Sequence, residues 1–296
     1  MERSFYFILN PYTKRKSNAI IETINTFFND RPHRFCISIW EDHITVAELV
    51  TIAKAKGYTS IVACGGDGTV REVGKSLVDS DHTLGIIPLG SGNGIANHFN
   101  IPKKINKALA ILIDGKCRKM DVGRAHDFYF FGNIGFGIEA EFIRAYQQNK
   151  KHGLIGYFIA AIKAFYSFKY EDYLIANSQG KSIETRHTPF LLLLSNTNEQ
   201  GYGISLTPRA NSSDGLLDLI EIPQQNRLIQ IGLILYSLLF KQPLKTTRIF
   251  RKQVSQITLS KEKLPFNFQL DGEALSIDQS ILEIKLLKKA LTVLTP

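Results

Sequence analysis

Up to about residue 120, short β-branched or aromatic runs alternate with longer stretches in which apolar residues recur every three or four positions. This patterning predicts strands over 5–9, 35–39, 60–63 and 84–87, and helices over 17–28, 45–56, 70–78 and 107–113. Regular strand–helix alternation points to a parallel sheet with helices on its faces. After Asp121 the pattern changes. Strand-like runs at 128–133, 173–176, 190–195, 216–220, 256–259 and 266–270 are separated by Gly, Asn, Asp and Pro turns, which favours an antiparallel sandwich or barrel-like domain. Two apolar helical stretches, 153–168 and 228–240, interrupt it, and two last strand-like pieces lie at 281–287 and 291–294. The expected fold class is therefore α/β: an N-terminal parallel-sheet domain over 1–122, with 288–296 a candidate to rejoin it, and a C-terminal β-rich domain over 123–287. No internal repeat and no low-complexity segment is present.

Composition adds little to that division but narrows the setting. At 296 residues, 44% hydrophobic and 21% charged, the chain is an ordered protein with room for two cores. Cys36, Cys64 and Cys117 lack metal-type spacing and read as reduced core thiols of a cytoplasmic protein. The opening residues read as a first strand, not a signal peptide. No apolar run reaches the ~20 residues that span a bilayer. A net charge of +9 suits either an anionic membrane surface or nucleic acid. No RRM, KH or helix-turn-helix pattern accompanies it, so nucleic acid is not an expected partner.

Candidate chemistry concentrates where predicted strands end. Ligands of parallel sheets bind beyond the carboxyl ends of the strands, and Asn10-Pro11, Gly65-Gly66-Asp67-Gly68-Thr69 and the segment from Pro88 to Asn93 all follow strands. Glycines at a strand–helix junction bring backbone N–H groups close to an anion, and the helix N-terminus favours negative charge. Asp67 could hold Mg²⁺ beside a phosphate or orient a reacting hydroxyl, serving chemistry more than packing. The loop is neither a Walker A sequence nor a Gly-x-Gly-x-x-Gly fingerprint. Taken by itself it reads equally as a Gly-rich turn with Asp67 as helix N-cap.

The wider pattern of motifs separates these readings. Gly65 to Thr69 resembles the Gly-Gly-Asp-Gly-Thr signature of the diacylglycerol kinase catalytic domain superfamily, whose bacterial lipid kinases are related to sphingosine kinases and more distantly to NAD kinases. Ile87-Pro-Leu-Gly-Ser-Gly-Asn-Gly-Ile-Ala96 resembles the family's Pro-x-Gly-Thr/Ser-x-Asn block, and Asp271-Gly272-Glu273 its Asp-Gly-Glu. Asp121-Val-Gly123, Asn133-Ile-Gly-Phe-Gly137, Ser195-Asn196 and Asp214-Gly-Leu-Leu-Asp218 occur between them in the family's order, so the resemblance covers nearly the whole chain.

The resemblance implies an ATP-dependent, Mg²⁺-requiring kinase of a lipid hydroxyl, its active site between the two domains. Asn10, Gly65, Gly66, Gly68, Thr69, Ser91 and Asn93 are the expected nucleotide-binding residues, with bracing its loop or capping the next helix the alternatives for Asn93. Asp67, Asp271 and Glu273 are the expected catalytic carboxylates, with Glu273 the proton acceptor. Asp271 and Glu273 would face one side of a strand, and the same residues also suit a hairpin turn. Asp121 is expected in the Mg²⁺ water network. A second, structural Mg²⁺ would use the Asp214 side chain with the carbonyls of Asn211 and Leu216; Asx-turn chemistry is the alternative there. Three positions depart from the family pattern. Asn10-Pro11 lacks following glycines, Trp40 falls near the place where relatives carry a nucleotide-contacting Thr, and Gly94 replaces an Asp, which weakens the expectation of diacylglycerol itself.

The expected partners are ATP and a lipid at an anionic membrane surface, with a homodimer left open. The apolar stretch from Gly153 to Ile162 sits between Lys150, Lys151 and His152 on one side and Lys163 and Lys169 on the other, which suits interfacial docking. A fully buried helix is the alternative. The protein would then be cytoplasmic and peripherally membrane-associated. Two other functions compete: an NAD kinase-like enzyme, and a catalytically silent lipid- or nucleotide-binding regulator.

Overall fold

The computed structural model describes residues 3–10, 14–41, 43–149, 153–177, 185–199, 205–226, 228–230, 232 and 249–296. The chain forms two compact units, one of residues 1–120 with 289–296 and the other of residues 121–288.

In the first unit, strands β1 (Phe5–Leu9), β2 (Phe35–Ile39), β3 (Ser60–Gly65) and β4 (Thr83–Pro88) run parallel in the order β2-β1-β3-β4. Every residue of β1 and β3 is buried, as in a sheet covered on both faces, so these strands are continuous apolar runs and not alternating ones. Helices α1 (Lys14–Phe28), α2 (Val46–Ala55), α3 (Asp67–Lys75), α4 (Gly94–His98) and α5 (Ile105–Asp114) connect or follow them. Helix α2 starts sharply because Thr45 and Glu48 form a reciprocal capping box. The chain's last strand, β16 (Ile281–Thr295), adds Thr292 and Val293 parallel to β4. The two pieces expected at 281–287 and 291–294 are thus one strand, whose irregular residue Lys289 (φ 54°) marks the passage into this unit.

The second unit is an antiparallel β-sandwich. Strand β5 (Lys116–Ala125) ends in a pairing with β6 (Phe128–Phe130). Strands β7 (Asn133–Gly137), β10 (Pro189–Ser195), β11 (Leu217–Pro223), β12 (Phe250–Val254), β14 (Phe266–Leu270) and β15 (Glu273–Ile277) form a sheet in the order β12-β11-β10-β7-β14-β15. Strand β13 (Gln256–Ser260) pairs with the first part of β16 and with β8 (Tyr173–Asn177), which pairs with β9 (Thr185–His187). Phe136, Leu192, Leu194 and Phe268 from one sheet meet Tyr173, Ile257, Leu259 and Ile284 from the other in a single core. A smaller cluster, with Phe168, Phe190, Leu191, Ile220 and Ile222, lies apart from it.

Helices α6 (Ile138–Gln147) and α7 (Gly153–Ser167) complete the described elements. The short α4, β9, β12 and β15, and helix α6, lack a periodic signal long enough to read. The expected strand at 128–133 is in fact β6 and β7, parted at Phe131 and Gly132. Most of the apolar run at 228–240 lies outside the described residues. Cys64 is buried and Cys36 half-buried, but Cys117 is exposed on β5, so it is not a core thiol.

Candidate functional site

The loops after β1, β3 and β4 leave the same edge of the first unit's sheet. The order β2-β1-β3-β4 reverses direction between β1 and β3, which makes that edge a topological switch point. Asn10 follows β1 and donates from Nδ2 to Thr69 Oγ1 at 2.7 Å, joining two of the loops. Thr69 is buried and fills the space a side chain at Gly65 would need, since a Cβ there would stand 2.2 Å from its Oγ1. The β4 loop closes on the same place: a Cβ at Gly90 would come within 2.5 Å of Gly66 Cα. Backbone therefore packs on backbone where the two glycine loops cross.

Helix α3 begins at Asp67 with Gly66 as its N-cap, which has no side chain to offer. The first N–H groups of α3 are thus left for an external acceptor, at the positive end of the helix dipole. Asp67 does not cap its own helix. Its two carboxylate oxygens accept from the N–H groups of Gly94 (3.0 Å) and Ile95 (3.1 Å), at the start of α4. Gly94, where the family pattern has Asp, therefore acts through its backbone. Asn93 is buried in a left-handed conformation (φ 54°) and gives α4 no side-chain cap. It accepts from Gly90 N–H at 2.9 Å and donates to Gly90 O at 2.6 Å, bracing the loop. Ser91 and Gly68 at the loop tips are exposed. Trp40 is half-buried, with its backbone N–H donating to Leu9 O. Pro11, Tyr12 and Thr13 lie outside the described residues.

In the second unit, hydrogen bonds link Asp271, Asn196, Asp121 and the 211–216 loop. Asp271 and Gly272 form the two-residue turn of the β14–β15 hairpin, with φ of 48° and 83°, in the manner of a type I′ Asp-Gly turn. Asp271 is therefore not a strand residue, and the expectation that it shares a strand face with Glu273 is corrected: alternation does not hold through a turn. Its carboxylate accepts three backbone N–H bonds, from Phe131 (2.8 Å), Gly132 (2.7 Å) and Asn133 (2.9 Å). Those bonds explain why the chain breaks between β6 and β7. Glu273 opens β15 and is half-buried. Asn196, fully buried, donates from Nδ2 to the carbonyls of Asp121 (2.8 Å) and Phe131 (2.9 Å). Asp121, also buried, accepts from Gly215 N–H at 2.7 Å and so grips the 211–216 loop.

That loop is shaped by two Asx turns. Asn211 accepts from Ser213 N–H, and Asp214 accepts from Leu216 N–H at 3.0 Å. Beside them Asp218 Oδ2 is buried with no hydrogen-bond partner. Burial pushes the Asp218 carboxyl up, the Gln253 hydrogen bond opposes this, and the Asp214 charge adds to it. Among the described residues, no group of three or more His, Cys, Asp or Glu side chains is placed to hold a metal ion.

Helix α7 is two-faced. Ala160 and Ala164 are buried, whereas Ile159 and Ile162 are exposed, Phe158 is 69% exposed and Tyr166 78% exposed. Lys163 on this helix and Lys169, two residues past its end, are exposed. The alternative of a fully buried helix is thereby removed. Lys150, Lys151 and His152 lie outside the described residues. No described helix is long and apolar enough to cross a membrane. In the sequence Asn196 stands in the Ser195-Asn196 motif with no role of its own. An Asn closing an all-buried strand such as β10 has to be hydrogen-bonded, and that was the available signal. Gln269 and Glu139, which join the network below, gave no such signal.

The family model described as Diacylglycerol kinase catalytic domain matches residues 4–125. The one described as YegS C-terminal NAD kinase beta sandwich-like domain matches residues 132–295. The chain is 33% identical over 187 residues to a diacylglycerol kinase of Mycobacterium tuberculosis (strain ATCC 25618 / H37Rv), and this match spans 60% of each chain. It is 25% identical to a protein of Alcanivorax borkumensis named "Probable lipid kinase YegS-like", over 98% of this chain and 96% of that one. The crystal structure of a diacylglycerol kinase from Bacillus anthracis str. Sterne has the same fold, with a TM-score of 0.76 at 21% identity, covering 99% of this chain and 97% of that one.

Proposed function

Because this chain belongs to the diacylglycerol kinase catalytic domain superfamily, carrying that catalytic domain and the YegS-type C-terminal sandwich, we propose that it transfers the γ-phosphoryl group of ATP to the hydroxyl of diacylglycerol or a similar amphiphile. The observation that carries this reading is the crossing of the two glycine loops at Gly66 and Gly90, which leaves the N-terminus of α3 facing outward for phosphate. The N–H groups of Gly66, Gly68 and Thr69 receive the phosphates, and Asn10, through Thr69, keeps the loop in place. Asp67 holds α4 and its loop against α3. Glu273 takes the proton from the lipid hydroxyl as that oxygen bonds to phosphorus and the bond to ADP breaks. Asp271 keeps the turn carrying Glu273 rigid.

Magnesium is the expected ion on the 211–216 loop, and the residues fit it. Asp214 and the carbonyls of Asn211 and Leu216 are hard oxygen donors, and the orphaned buried Oδ2 of Asp218 is a further acceptor beside them. When bound there the cation would neutralise this cluster and stiffen the loop that Asp121 grips. The lipid reaches the enzyme through the exposed apolar face of α7, which docks into the interfacial layer of an anionic bilayer. Exposed Lys163 and Lys169 complement that surface, as does the chain's net charge of +9.

The test is incubation of the full chain with γ-labelled ATP, Mg²⁺ and mixed vesicles that contain diacylglycerol, with NAD present in a parallel sample. Label in the lipid phase is the expected result. Label in NADP would instead favour the NAD kinase-like reading that the description of the C-terminal family model keeps in view. Binding of ATP with transfer to neither would make the protein a silent regulator.

A further inference from the structure

Strand β15 is the edge of its sheet, and the turn before it carries the proposed base, so something has to hold this edge in place. Helix α6 packs against the β14–β15 hairpin. Near its C-terminal end, Gln147 Oε1 accepts from Ala274 N–H at 3.3 Å, next to Glu273. In its first turn lies Glu139, whose carboxyl folds back over Gly135, so that a Cβ at Gly135 would stand 1.9 Å from Glu139 Oε2. The carboxyl end is buried although the rest of the residue is partly accessible, and Oε2 has no hydrogen-bond partner.

The group beside Glu139 is the amide of Gln269, itself buried, whose Nε2 would stand 3.0 Å from that same Cβ at Gly135. Gln269 donates from Nε2 to Asn133 Oδ1 at 2.5 Å and accepts at Oε1 from Gly272 N–H at 3.0 Å. A primary amide has two donor hydrogens on one end and an acceptor on the other. With Asn133 taking one hydrogen and the buried Glu139 carboxyl lying at the nitrogen end, beside Gly135, that end is held there and the oxygen end has to face Gly272. A reversed amide would set its NH₂ against the Gly272 N–H, two donors together. We infer that Glu139 is a positioning residue for the Asp271–Gly272 turn: through Gln269 it fixes the hairpin that presents Glu273, while Gln147 holds the following residue. The mechanistic half of this inference rests on the phosphoryl-transfer role proposed for Glu273; the structural half does not. Burial raises the Glu139 carboxyl to about 7, and the Gln269 hydrogen bond works against that rise.

Two measurements on the full chain separate the halves: amide hydrogen exchange over residues 270–274, and steady-state kinetics on diacylglycerol vesicles. Glu139→Leu removes the acceptor. It should speed exchange at Gly272 by about tenfold or more and lower kcat by a similar factor, with the KM for ATP within about twofold of wild type. Glu139→Gln, which keeps an acceptor, should recover both to within about threefold. Should the leucine variant fail to fold, Glu139→Asp, one methylene shorter, should produce the same faster exchange. Unchanged exchange at Gly272 in a folded variant overturns the positioning role whatever the activity. Faster exchange with undiminished kcat overturns its link to Glu273. Faster exchange in a chain that labels no lipid supports the positioning role and counts against the kinase reading instead.

Discussion

At the scale of single residues, the side chains expected to do chemistry also hold the backbone. Asp67 was expected to serve phosphate and metal more than packing, yet both its oxygens receive N–H groups from α4. Asp67→Asn retains one acceptor and turns an NH₂ towards the other donor. Two effects should follow: turnover lower by about a hundredfold or more, and a stability loss of about 1–3 kcal/mol from the unsatisfied N–H. Steady-state assays and denaturant unfolding measure them, and wild-type turnover in the folded variant would remove Asp67 from the mechanism. Gly90→Ala has a different cause. Its Cβ would meet Gly66 Cα at 2.5 Å, and backbone cannot rotate away as a side chain can. The loops should part, raising the KM for ATP by about tenfold or more with a smaller loss of kcat; an unaltered KM would show that the crossing does not shape the phosphate site. For Glu273→Gln the pattern should invert, with kcat falling much more than the KM for ATP rises, because a base acts on the acceptor hydroxyl. An effect confined to the ATP KM would move Glu273 into nucleotide binding.

At the scale of elements, the division of α7 into two faces is the feature with the clearest consequence. Its small residues Ala160 and Ala164 turn inward, and its large ones, Phe158, Ile162 and Tyr166, turn outward, the reverse of an ordinary globular helix. The double substitution Lys163→Glu, Lys169→Glu should weaken cosedimentation with anionic vesicles by about tenfold at low salt and leave far-UV circular dichroism unaltered. Wild-type binding should itself decline as salt rises. Phe158→Ser should weaken binding at every salt concentration, since it removes apolar area and not charge. Binding that ignores all three changes would place the docking surface elsewhere. The hairpin of β14 and β15 makes a related point about elements. Leu-Asp-Gly-Glu by itself reads as a turn and, with the family motifs, as a catalytic segment, and the two are compatible: Asp271 and Gly272 form the turn, its Asp anchored by three N–H bonds, and Glu273 opens the strand after it.

For the whole molecule, Glu139 gives a testable dependence of stability on pH. Its folded value, about 7, lies above its ordinary 4.5, so between these limits the folded chain holds a proton that the unfolded chain has lost. Its contribution is fully present below about pH 4.5 and is lost as pH rises through about 7. The unfolding free energy of the wild type, from denaturant titration, should therefore fall relative to Glu139→Gln between pH 5 and 8, by an amount on the order of 3 kcal/mol at most; parallel pH curves would show that the carboxyl is not buried in solution. The sequence alone determined the fold class, because strand–helix alternation before residue 121 and turn-separated strands after it are local patterns set by side-chain period. It also determined the family, because ordered motifs such as Gly65 to Thr69 and Asp271 to Glu273 are written in consecutive residues. Only the tertiary structure decided what those residues touch. That Asp67 caps α4, that Asn93 braces Gly90, that Asp271 gathers the break between β6 and β7, and that Glu139 reaches Gln269 are contacts between residues brought together by sheet order and turn geometry. A hydrogen bond across 140 residues leaves no periodic trace in the chain, because either partner taken by itself is an ordinary polar residue.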